Sequence, residues 1–281
     1  MASAQQFVGR TAGDRVILAG VLVLAFAWLV PVAWVIVLSF KPNSELMLST
    51  ATALHPPYTL KNYTDIIASS GVFRWLLNSM IVAGGMTIGT LVLSSLAGYG
   101  FARTEFFGRD ILFVLVLLGL AIPEQAVIIA RHQMFTDWKM HNGYPALILP
   151  GLSHAFGVFL MTQYFKAIPR DIDEAAMLDN ASRFKIFWKV VLPLTIPAQA
   201  TLGIFTFLSA WNDYLWPLIS ATKPDMFTLT VGMASTQTNF AQSEGLGFLM
   251  AQAVFAGLPV FIVYLFFQKY IVRAVAGAAI R

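Results

Sequence analysis

The chain has 281 residues, of which 58% are hydrophobic and only 11% charged, less than half of the roughly 25% charged residues typical of a soluble domain. Its 18 basic and 14 acidic residues cannot cover a water-facing surface, which excludes an ordinary soluble fold and a disordered chain and makes lipid the main solvent. The absence of cysteine removes disulfides and thiolate sites, and the net charge of +4 comes from basic residues too dispersed to suggest nucleic acid.

A helix needs about 20 predominantly apolar residues to cross the hydrocarbon core of a bilayer. Uncharged windows of sufficient length run over 16–40, 75–102, 140–165, 190–212 and 245–268. A sixth, 111–130, is interrupted only by Glu124, an acid that costs about 2.5–3.5 kcal/mol at the centre of a lone helix but is tolerated in a bundle. Six spanning helices are therefore expected, in an all-α membrane protein of one domain, 1–281. With the N-terminus inside, the segments on the cytoplasmic side carry twelve of the Lys and Arg residues and the outer loops six, so both termini are predicted to be cytoplasmic. The first apolar segment exceeds a signal-peptide core and lacks a cleavage site, and should remain as a helix.

Along the spans, Gly85 and Gly89 form a GxxxG pattern beside Gly84, Ser94, Ser95 and Ala97, a small-residue face for close helix packing. Pro31, Pro123, Pro150, Pro197 and Pro259 interrupt helices in a way that suits moving transporters and static bundles alike. His55, His132, His141 and His154 show no metal-ligand spacing.

The segment 166–189 packs nine charges into 24 residues. Pro169 suits a first helical turn, and Asp171, Asp173 and Glu174 follow where the helix dipole favours anions. After Asp179, Asn180 can adopt the left-handed conformation that stops a helix, and Ser182 can cap a second one. Phe184, Phe187, Trp188 and Val191 then recur as one helical stripe, predicting a helix-turn-helix at the membrane surface. By periodicity alone the loop could equally be an interfacial anchor.

Glu174-Ala175-Ala176, then Asn180, then Leu192-Pro193 resembles the EAA signature of ATP-binding-cassette (ABC) importer permeases, with Asn180 where the family usually has glycine. Ser39-Phe40-Lys41-Pro42, Lys61-Asn62-Tyr63, the string from Asn78 to Ala83, that from Ala97 to Arg103, that from Asn142 to Pro150 and that from Trp211 to Leu218 are similar to the carbohydrate branch, and to the shorter permease of maltose-type importers. The resemblance implies a type I importer fold, with 166–189 as the cytoplasmic coupling loop and Glu174 docking in an ATPase cleft; Ala175 and Ala176 would allow close approach, and Asp179, Asn180, Leu192 and Pro193 complete the motif. Without the family, Glu174 reads equally well as a dipole-compensating acid.

The resemblance further implies two cytoplasmic ATPase subunits that hold ATP and Mg, a second, longer permease and an extracytoplasmic solute-binding protein, in a bacterial or archaeal inner membrane. This chain has no GxxxxGK[ST] string, so no cofactor, nucleotide site or catalysis is expected of it. The polar external segment 220–244 contains Ser235, Thr236, Gln237, Thr238 and Asn239, and by position corresponds to a scoop that enters the binding protein's sugar cleft, or is an ordinary solvated loop. The tail from Gln268 to Arg281 reads either as an insertion between the ATPases or as a fraying helix end. Glu124 and the group Trp211, Asn212, Asp213 and Tyr214 are candidates for the pathway or the substrate, although Trp and Tyr also build the interfacial belt. The solute is expected to be a sugar or oligosaccharide; a glycerol-phosphate-type solute, an ion-coupled secondary transporter using Glu124 and Asp213, and a scaffold without a pathway are the alternatives.

Overall fold

The computed structural model describes residues 12–48, 53–68, 71–240 and 245–279. Among them every regular element is helical. Three helices are single, long and apolar enough to cross a membrane, and three further helix pairs are so only when each bent pair is taken together.

Contacts divide the chain into two compact units, one comprising 1–69 with 235–257 and the other 70–234 with 258–281. The first begins with α1 (Ala12–Ser39), followed by the short α2 (Asn43–Leu48) and α3 (Lys61–Ala68). α1 is apolar on all sides and almost entirely uncovered until Leu38 and Ser39, as expected of a helix whose solvent is lipid. Its exit is held by polar residues of the quoted strings. Lys41 is fully buried, and its Nζ donates to the carbonyls of His55 (2.7 Å) and Pro57 (3.2 Å) while lying 5.3 Å from the Tyr58 ring centroid. Asn62 Nδ2 donates to the carbonyls of Ser39 and Lys41, and the Ser39 and Tyr63 hydroxyls meet at 2.6 Å.

The second unit is organised around α4 (Val72–Arg103). Around it follow α5 (Arg109–Leu118), α6 (Ile128–Asp137), α7 (Tyr144–Leu152), α8 (Ala155–Ala167), α9 (Asp171–Leu178), α10 (Arg183–Lys185), α11 (Leu192–Leu194), α12 (Ile196–Asn212) and α13 (Leu215–Ser220). α4 packs chiefly on α8, then on α12 and α7. The small-residue face permits this approach: a Cβ on Gly85 would lie 2.9 Å from Ile148 Cδ1, and one on Gly98 would lie 2.7 Å from Met161 Cβ and 2.9 Å from the Thr162 amide nitrogen. Two helices remain, α14 (Leu229–Phe240) and α15 (Gly245–Ala279).

Three of the six expected windows are sharply bent, each near one of the prolines expected to interrupt its helix. The pair around Pro123 bends by 94°, α7 and α8 by 46°, and the pair meeting at Thr195 by 76°. Proline supplies the physical reason at the first and last of these, since it withdraws an N–H from the helical ladder. At the third break the Leu192 carbonyl accepts instead from Thr195 Oγ1 (2.8 Å) and Gln199 Nε2 (2.9 Å), so the opened backbone keeps its partners. The 220–244 segment also departs from a loop, because α14 runs through 229–240. Leu229 and Val231 are buried, and the Leu229 N–H donates to Ser79 Oγ (2.8 Å). Residues 241–244 lie outside the described residues.

Candidate coupling loop and pathway cavity

α9 begins with the Asp173 and Glu174 amides bonded to the Arg170 carbonyl and ends in a closed cap. The Asn180 N–H donates to Met177 O (3.0 Å) and the Ala181 N–H to Ala176 O (3.1 Å), with Asn180 at φ 56°. These two bonds around one left-handed residue are a Schellman motif, with asparagine in the place glycine most often takes. Ser182 then caps α10, its Oγ accepting from the Lys185 N–H at 3.3 Å. The expected turn, left-handed residue and cap are thus all present.

The apolar stripe is not. Instead of a regular second helix, a π-helical turn runs over Ile186–Val191, with the Leu192 N–H reaching back to Phe187 O. The additional residue in the turn separates the four positions: Phe187 and Val191 are buried, whereas Phe184 is 72% exposed and Trp188 lies beside it at 6.1 Å between ring centroids. The inward group packs on α4 and α8, Phe187 meeting Tyr99 at 4.9 Å and Phe165 at 6.3 Å.

Glu174, Ala175 and Asp179 are exposed on the outer side of this loop, together with Met177 and Leu178. Ala176 and Leu192 instead pack against the core formed by Met161, Phe165 and Phe187, and Pro193 is exposed. Asp173 is turned inward to Arg103, and a cleft of about 140 Å³ between them is also lined by Arg170, Glu174 and Arg183.

A second, larger cavity of about 680 Å³ lies within the same unit. Glu124 enters it directly after the Pro123 break, His154 at the hinge between α7 and α8, Arg131 from α6, and Asn212 and Asp213 from the end of α12. The breaks therefore bring together two carboxylates that are 89 positions apart in the chain. Asp213 follows the last residue of α12 at the start of the connection to α13, and the Arg131 guanidinium lies 5.2 Å from the Trp216 ring centroid. Because Glu124 faces a cavity at a helix break, it need not sit in the middle of an apolar span.

The Trp211 to Tyr214 group is divided. Trp211 is 2% exposed and stacked on Phe207 at 5.7 Å, while Tyr214 is exposed and outside the cavity lining. Ser235 and Thr236 stand on α14, and Gln252 Nε2 donates to Thr236 Oγ1 (2.8 Å). The side chains of Gln237, Thr238 and Asn239, like those of the tail beyond Gln268, lie outside the described residues.

Sequence reasoning missed Arg131, His154 and Thr206 as cavity residues; a polar residue beside a proline-broken span was the one available signal. It also missed what anchors the connection before α14. Asn142, at φ 59°, accepts the N–H groups of Thr222 and Lys223 on its Oδ1 (2.8 Å each), and Asn78 Nδ2 donates to the carbonyls of Asp225 and Phe227. No group of three His, Cys, Asp or Glu side chains among the described residues converges as a metal site.

Residues 90–277 match the family described as the binding-protein-dependent transport system inner membrane component. The arabinooligosaccharides transport system permease protein of Halalkalibacterium halodurans is 32% identical over 93% of this chain and 94% of its own length. The diacetylchitobiose uptake system permease protein of Streptomyces coelicolor is 32% identical over 90% of this chain and 84% of its own length. The trehalose/maltose transport system permease protein of Thermococcus litoralis is 32% identical over 93% and 95%. The fold matches a chain of a bacterial ABC transporter involved in the import of the acidic polysaccharide alginate, with TM-score 0.78 and 21% identity over 93% of this chain and 99% of that one.

The family and these relatives are those of membrane permease subunits. This chain belongs to the family of binding-protein-dependent transport system inner membrane components, as its EAA-like loop led one to expect.

Proposed function

We propose that the chain forms one half of the translocation pathway of an ABC importer for a sugar or oligosaccharide. The reading is supported by the relatives, whose names specify arabinooligosaccharides, diacetylchitobiose and trehalose or maltose. A second fold neighbour was solved in complex with an alginate pentasaccharide-bound periplasmic protein, with TM-score 0.60, 13% identity and coverage of 90% of this chain and 93% of that one, which favours a solute-binding protein as partner. The observation that carries the mechanism is α9 itself: a rigidly capped helix with Glu174 and Ala175 uncovered beside exposed Met177, Leu178 and Phe184.

In this reading α9 is the coupling helix. It docks in a cleft of one of two cytoplasmic ATPases, Glu174 meets a cationic group there, and the apolar residues around it are covered. ATP and Mg are held by the ATPases and not by this chain. A second, longer permease completes the pathway opposite the cavity, and Ser235 to Asn239 face the binding protein. In this reading each bent pair is one span, giving six with the three single helices, and both termini and α9 are cytoplasmic, which the excess of Lys and Arg in those segments supports.

Co-purification in mild detergent followed by reconstitution tests the reading. Uptake should require ATP, the ATPase, the second permease and the binding protein together. Because the chain contains no cysteine, single cysteines at Leu178 and Thr222 also report topology, with Leu178→Cys labelled from inside and Thr222→Cys from outside. Uptake by this chain alone, or labelling of Leu178→Cys from outside, would contradict it.

A further inference from the structure

Thr206 lies on α12, is 3% exposed and lines the large cavity, and among the described residues its Oγ1 has no hydrogen-bond partner. Other threonines of these spans satisfy themselves on their own helix: Thr87 bonds to Ala83 O (2.7 Å), Thr162 to Val158 O (2.7 Å) and Thr201 to Pro197 O (2.9 Å). A buried hydroxyl that does not take this route is unfavourable unless something else pairs with it. The lining around it supplies both kinds of polar partner. His154 Nδ1 accepts the Gly157 N–H at 3.1 Å, so Nε2 carries the proton and is a donor. Glu124 and Asp213 are acceptors, and Arg131 is a donor held over Trp216.

We infer that this cavity is a solute site belonging to this chain itself, and that it takes an uncharged, polyhydroxylated ligand and disfavours an acidic one. The inference deepens the proposed sugar import and rests on it. A volume of about 680 Å³ is within the roughly 300–1,000 Å³ of small-molecule sites. Hydroxyl-rich rings need donors and acceptors at their edges and an apolar surface for their C–H faces, here the exposed Phe156 and Phe205. Two carboxylates stand against one guanidinium, and that guanidinium already has its face on an indole. A uronate or phosphate placed here meets two carboxylates and one guanidinium that is already engaged, and like charge disfavours it.

Thr206→Cys in the detergent-purified complex, with cysteine-free partners, is a direct reporter, and Ser209→Cys on the same lining is the second. The rate of modification is compared for a trimethylammonium-bearing and a sulfonate-bearing methanethiosulfonate of similar size, each relative to exposed Phe107→Cys. The cationic reagent should react severalfold faster in the cavity. Maltotriose, arabinotriose or diacetylchitobiose should slow modification about tenfold at ten times its Kd, and triguluronate should not. Equal rates for the two reagents, protection by none of the neutral sugars, or equal protection by triguluronate would overturn the inference. Uptake without an ATPase would instead overturn the importer reading, whatever the labelling pattern.

Discussion

Arg103, the last residue of α4, and Asp173, in the first turn of α9, form an ion pair of 3.5 Å with side chains only 5% and 13% exposed. Arg103 also donates through Nη2 to the Ile168 carbonyl at 2.6 Å. One guanidinium therefore holds the entry to α9 and its first turn against a helix that is remote in sequence. Since α4 packs on α7, α8 and α12, this pair ties α9 to the central helix of its unit.

Removing one member of such a buried pair is strongly unfavourable, because the other charge is left without compensation, typically about 3–5 kcal/mol. Arg103→Ala and Asp173→Ala should each lower the melting temperature of the purified complex and depress transport. The exchange Arg103→Asp with Asp173→Arg should recover part of both. A double variant no better than the worse single one would show that the pair does not act as a unit.

Glu174 should behave differently, since it is exposed and its loss leaves nothing buried unpaired. Glu174→Lys is expected to leave expression and melting of the isolated permease unchanged, while weakening assembly with the ATPase and abolishing solute-stimulated ATP hydrolysis. Truncating one partner of a desolvated interfacial charge pair costs about 2–5 kcal/mol. Pull-down of the ATPase and its stimulated turnover measure this, and normal coupling by Glu174→Lys would return the acid to the role of balancing the helix dipole.

Asn180→Gly should be tolerated, because the Schellman turn needs a left-handed residue and glycine adopts that conformation without strain. Asn180→Val should cost about 1–2 kcal/mol in the same backbone. The effect should be read as weaker ATPase association with normal membrane insertion. Full activity of Asn180→Val would mean that this turn does not position α9.

Lys41→Met should destabilise the first unit, since the carbonyls of His55 and Pro57 lose a charged donor; hydrogen bonds to charged groups contribute about 1.5–3 kcal/mol. Limited proteolysis between 53 and 60 and thermal melting would both register the change. Unaltered protection of that segment in Lys41→Met would show that the buried ammonium does not hold it.

Local chemistry was legible in the sequence. Windows free of charge marked the apolar segments, because the cost of an ion in hydrocarbon is a property of each residue on its own. The end of α9 was legible for a similar reason: Asn180 and Ser182 act through their own backbone conformation and nearest amides, and a cap is a short-range object. What depends on other segments was not. The stripe from Phe184 to Val191 was read at a uniform 3.6 residues per turn, yet tertiary packing of Ile186, Phe187 and Val191 against the core selected a π-turn that changes the phase. Glu124 and Asp213 could be flagged separately as acids in apolar surroundings, but only the bends at Pro123, at the α7–α8 hinge and near Thr195 bring them into one cavity with Arg131, His154 and the unpaired Thr206 hydroxyl. A bend angle is the outcome of many contacts between helices, and no residue near the break specifies it alone.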